Sequence, residues 1–238
     1  HRHSLANFIL ALDARAHVAV FDTCICHDLD LADDWVWQNY MSALRRRTIS
    51  AAHYGPPCAT FSASRRGDGP QPLIPREGPG RYGLPNLSIA DKEKVRLGTL
   101  LALRTAEALL QHLILATPFV FETPWPLAEE AISMIHLDEF QKVLEDPRVL
   151  VKRVDQCRFG ARTTKPTLLL LFLVGSPAAE VSADPLLCCH APRSWAVPST
   201  RQTRSLPHPW LRGKEWPVPT ETLDPLVTYP PPSSSNAF

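Results

Sequence analysis

The apolar runs of this chain are all short. The longest, Leu168–Gly175 (LLLLFLVG), has the length of a β-strand and falls far short of a membrane span. His17–Asp22 (HVAVFD), Ile49–Tyr54, Thr117–Glu122 (TPFVFE), Val149–Val154 and Thr167–Val174 read as five strands. A helically spaced stretch precedes each of the first four. These stretches are residues 4–16, Asp33–Arg47, a long Ser88–Leu115 helix with Ser88 as its N-cap, and Leu127–Leu144. Strands alternating with helices predict an α/β fold with a parallel sheet. The last two strands have no helix between them and predict an antiparallel pair at one edge.

In Asp33–Arg47, Trp35, Trp37, Tyr40 and Leu44 are the expected inner-face residues, and Arg45-Arg46-Arg47 a solvated end that complements the helix dipole. Leu97, Leu101, Arg104 and Ala108 trace the turns of the long helix. The 238 residues carry 45% apolar and 21% charged residues, enough for a folded core, and a net charge of only +1. That charge advertises no polyanion partner, although a local basic groove remains open. Six scattered cysteines, at 24, 26, 58, 157, 188 and 189, suit reduced intracellular thiols better than a disulfide framework. Twelve of the 24 prolines follow Ser176. The folded domain is therefore expected over residues 1–190, with a Pro-rich, disordered tail over 191–238.

Ligand chemistry in parallel sheets collects at the carboxyl ends of the strands, and Asp22, Cys58 and Glu122 all fall there. The stretch YGPPCATFS (54–62) holds Cys58 behind Pro56 and Pro57, which fix φ and remove backbone donors. Glu122 is followed by Thr123-Pro124, a second stiffened turn. The Gln156–Thr167 loop brings Arg158, Arg162 and Lys165 to the same edge. A rigidly presented thiol beside a carboxylate and a cation is the setting of a nucleophile. The alternative for Cys58 is a packing thiol, and for Lys165 and Arg162 simple exposure. Cys24-x-Cys26-His27 and Cys188-Cys189-His190 lack the usual zinc spacing, and no metal is expected, with a small zinc module kept as a third option.

The motifs GPPCATFS, FVFETP and VDQCRFGARTTKPTLLLLFLVG, in that order, resemble the Pro-Cys, Glu-Asn-Val and Gly-x-Pro-Gln-x-Arg-x-Arg segments of the DNA (cytosine-5) methyltransferases. GPGRYGLPNLS and the KPT triplet are similar to methyltransferase-like proteins of mobile-element-rich eukaryotic genomes. The resemblance spans roughly residues 5–175. It implies a Rossmann-like domain that binds S-adenosylmethionine and acts on DNA in the nucleus, with no membrane association. Cys58 would add to C6 of a flipped-out cytosine, Glu122 would bind the exocyclic amine and N3, and Lys165 would contact the carbonyl oxygen, with Arg162 beside it. Asp22 matches the acid that binds the cofactor ribose, Asp28 an acid near the adenine, and Pro57 belongs to the cofactor side of the Pro-Cys motif. The Ser62–Leu87 loop matches the segment that closes over DNA.

Thr123, Thr163 and Thr167 stand where the family has asparagine, glutamine and its second arginine. The family's opening Phe-x-Gly-x-Gly turn does not occur, so the first strand is expected to be missing. A catalytically inactive mobile-element relic that at most binds nucleic acid is the competing expectation.

Overall fold

The computed structural model describes residues 5–23, 26–62, 73–74, 78, 81–126, 132–156 and 165–174. Arg158, Arg162, the Cys188-Cys189-His190 run, the 191–238 tail and most of the Ser62–Leu87 loop lie outside the described residues.

Among the described residues, four α-helices and four strands follow one another along the chain. They are α1 (Leu5–Leu12), α2 (Asp34–Arg45), β1 (Ala52–Tyr54), α3 (Ile89–Leu115), β2 (Phe119–Pro124), α4 (Asp138–Leu144), β3 (Leu150–Asp155) and β4 (Pro166–Phe172). The sheet runs β1-β2-β4-β3, with β1 and β2 parallel and β4 antiparallel to both neighbours. The fold is therefore α/β with a small mixed sheet, and β3 and β4 form the expected antiparallel pair at one edge. Since β4 alone is reversed, β1, β2 and β3 all end at the same edge, where β4 begins.

Local chemistry explains most of the element ends. Asp33 caps α2 by accepting from the backbone N–H of Trp35 at 2.8 Å and Val36 at 3.0 Å. Ser88 caps α3, its hydroxyl accepting from Asp91 N–H at 3.1 Å. α3 ends where Ala116 takes a left-handed conformation (φ 51°), and Thr117 N–H bonds back to the His112 carbonyl at 3.0 Å.

Side chains alternate across the strands and divide the sheet into two unequal faces. Phe119, Phe121, Leu168, Leu170 and Phe172 are buried on one face. There α3 contributes His112, whose ring lies 5.9 Å from that of Phe119, and α4 contributes Phe140, 5.0 Å from Phe121. Val120, Leu169 and Leu171, on the other face, are only half-buried. His53 and Glu122 share that second face, because His53 is in register with Val120.

Three expectations need correction. His17–Asp22 pairs with no strand among the described residues and runs as an irregular segment. A strand is stable only when a neighbour satisfies its backbone, and β1 meets a described partner, β2, on one side alone. Phe21 from this segment instead packs edge-on against Tyr40, with centroids 5.3 Å apart. Trp35 is 74% exposed, and the buried stripe of α2 is Val36, Trp37, Tyr40, Met41 and Leu44. Residues 37, 40, 41 and 44 repeat at helical spacing, and position 35 lies well off that stripe. Helix over 127–144 is confined, among the described residues, to a 3-10 turn at Met134–His136 and to α4.

Candidate functional site

β1 delivers the chain to the proline pair, and Cys58 then stands directly before a 3-10 turn, Ala59–Phe61. The backbone of Cys58 lies in the sparsely populated bridge region (φ −98°, ψ 6°), where active-site residues are over-represented. Phe61 anchors the turn in the core, and its N–H donates to the Cys58 carbonyl at 2.9 Å. Thr60 is buried against α3, where Gly98 leaves room for it. A Cβ on Gly98 would stand 2.6 Å from Thr60 Oγ1. Cys58 itself is half-buried and packs against the core cluster.

Glu122 sits at the carboxyl end of β2, one strand over. Lys165 Nζ is 3.6 Å from its Oε1, and Gln156 Nε2 donates to the same oxygen at 3.2 Å. His53 Nε2 stands 3.7 Å from Oε2, an ion-pair distance rather than a formed hydrogen bond. The carboxyl is held below its ordinary range, first by His53 and then by Lys165, against the opposing effect of burial. Glu122 is therefore ionised at neutral pH.

Lys165 is held by strained backbone. Its φ is +30°, outside the range a side chain prefers, and it precedes a proline. The Lys165 carbonyl accepts from Thr167 Oγ1 at 2.9 Å and from Gln156 N–H at 3.4 Å, which closes the β3–β4 hairpin and secures this conformation. Cys58 feels both neighbours. Burial pushes the thiol up, the Lys165 ammonium pulls it down, and the Glu122 carboxylate adds a smaller upward push. Burial prevails, so the resting group is a thiol.

The structure brings together Cys58, Glu122 and Lys165 and adds two residues with no role in the sequence reading, His53 and Gln156. Both belong to elements already recognised. Alternation along β1 and β2 could have paired His53 with Glu122, but only once the register between the strands was known. Arg162 lies outside the described residues. Pro57 is exposed beside Cys58.

Asp22 and Asp28 are both exposed on the loop between α1 and α2, where the Cys26 N–H donates to the Asp22 carbonyl at 2.8 Å. That loop is tied to the carboxyl end of β1 through Phe21, Tyr40 and Tyr54, whose two tyrosine hydroxyls hydrogen-bond to each other. Exposed carboxylates beside a strand end fit the hydroxyls of a ribose and the amine of an adenine in kind. Among the described residues no group of three His, Cys, Asp or Glu side chains could hold a metal ion, and no helix is long and apolar enough to cross a membrane.

Comparisons of the chain with protein-family models, with curated proteins and with solved structures found no match.

Proposed function

We propose that this chain carries a cysteine-nucleophile site for cytosine, of the kind that DNA (cytosine-5) methyltransferases use, in a Rossmann-like domain. The observation that carries the reading is the convergence at one sheet edge. The ionised Glu122 stands on the strand next to the one that presents Cys58, and Lys165 lies close enough to influence both. Positive φ at Lys165 adds to it, because strain of this sort collects at functional sites.

Cys58 loses its proton to water and its sulfur bonds to C6 of the base. The C5–C6 π pair moves onto the C4–N3 side of the ring, which makes C5 nucleophilic. Glu122 accepts from the exocyclic amine, and Lys165 donates to the carbonyl oxygen that gains charge. The C6 atom is inaccessible in stacked DNA, so the base must be flipped out of nuclear DNA to reach Cys58. Asp22, Asp28 and Pro57 would hold S-adenosylmethionine, which supplies an electrophilic methyl group when bound. Binding of nucleic acid without chemistry is the competing reading, favoured by the resting protonation of Cys58.

Addition at C6 loosens the C5 hydrogen whether or not a methyl donor is present. DNA carrying tritium at C5 of cytosine should therefore release tritium to water with the intact chain. Cys58→Ser should abolish the release. Binding of that DNA with no release, or equal release from both proteins, would leave only the nucleic-acid-binding reading.

A further inference from the structure

His53 lies on the same face of the sheet as Glu122, two register steps apart on parallel strands. The two oxygens of Glu122 are served differently. Oε1 has a cation and an amide, at 3.6 Å and 3.2 Å, while Oε2 faces the His53 imidazole at 3.7 Å. His53 also borders the loop to the nucleophile, since its Cε1 is 3.7 Å from where a Cβ on Gly55 would stand. Its side chain is 38% exposed and that of Glu122 32%, so the imidazole exchanges protons with water while still touching the carboxylate.

Addition of sulfur at C6 places electron density on N3, and N3 then needs a proton. Glu122 is ionised and has none of its own to give. Ammonium groups are in general weaker acids than imidazolium. An imidazole is the side chain suited to carry a transferable proton near neutrality.

We propose that His53 is the proton source of the site, passing a proton through Glu122 to N3 of cytosine as the Cys58 sulfur adds to C6. The inference rests on the reading of Cys58 as a nucleophile toward cytosine. The S–C6 bond forms and the π pair comes to rest on N3. The Glu122 carboxylate takes a proton at Oε2 from His53 Nε2 and passes it to N3, returning to the carboxylate, and the neutral imidazole recovers a proton from water. The thiol proton has already gone to water, so protons balance and no further reactant is needed. Among the described residues Glu122 on β2 stands against His53 at 3.7 Å, and Lys165 at the start of β4 reaches the same carboxylate.

The arrangement has a kinetic signature. The reactive form pairs a thiolate with an imidazolium. Loss of the imidazolium with rising pH opposes the gain in thiolate, so tritium release by the wild-type chain should rise less steeply with pH than release by a chain that lacks the imidazole. His53→Gln keeps a neutral hydrogen-bond donor but carries no proton to give. Its release should be roughly tenfold or more slower at pH 7 and should climb about tenfold per pH unit. Parallel profiles for the two proteins would overturn the proton-source role alone. No Cys58-dependent release at any pH would overturn the reading of the site, and this inference with it.

Discussion

At the scale of the residue, the chemistry of Cys58 is set by opposing influences that can be separated one at a time. Burial raises the thiol, Lys165 lowers it and Glu122 raises it slightly. Alkylation by iodoacetamide reads the thiolate and hence its titration. Lys165→Met should move the alkylation profile of Cys58 to higher pH, and Glu122→Gln should move it to lower pH. The same direction for both substitutions would mean that the two charges do not act on Cys58 as the geometry implies. Cys58, Glu122 and Lys165 were legible in the sequence because each stands within two residues of a proline that stiffens its turn. His53 was not, because a histidine in the middle of a three-residue strand carries no local mark of its partner.

At the scale of the element, Thr60 in the turn that follows Cys58 fits closely against Gly98 of α3. Thr60 is buried and its Oγ1 has no hydrogen-bond partner among the described residues, so its place depends on the absence of a side chain at Gly98. Gly98→Ala should destabilise the fold by about 1–3 kcal/mol, the usual range for forcing a methyl group into a packed contact. Thr60→Ala removes an unpartnered hydroxyl and should restore most of that loss in the double variant, a coupling readable from urea midpoints. Additive effects would mean that the helix and the turn move apart freely. Capping by Ser88, the length of α3 and the strand character of β2, β3 and β4 were all legible locally. The fate of His17–Asp22 was not, because a run with strand composition becomes a strand only where another backbone pairs with it.

At the scale of the whole molecule, one buried polar chain links α2, β1, α3 and the turn into β2. The Tyr40 hydroxyl bonds to that of Tyr54, the Tyr54 hydroxyl lies 2.8 Å from His112 Nε2, and His112 Nδ1 is 2.7 Å from Thr117 Oγ1. Burial lowers His112 from 6.5 to about 4, so it folds as the neutral imidazole. In that interval the unfolded chain binds the extra proton, and stability must fall as the pH drops from about 6.5 to about 4. The shift corresponds to roughly 3 kcal/mol, lost fully once the pH is below the folded value. Urea unfolding across this window should show the decline for the wild type and a much flatter line for His112→Asn. An equally steep line in the variant would assign the pH dependence to other groups. The sequence by itself determined the lengths and ends of most elements, the alternation that makes the fold α/β, and the prolines that frame Cys58 and Glu122, because these depend on neighbours along the chain. Only the tertiary structure decided that β4 runs reversed between β2 and β3, that Trp35 faces water, and that His53 meets Glu122. Those outcomes depend on strand register and on which face each helix buries, and both are settled between residues far apart in sequence.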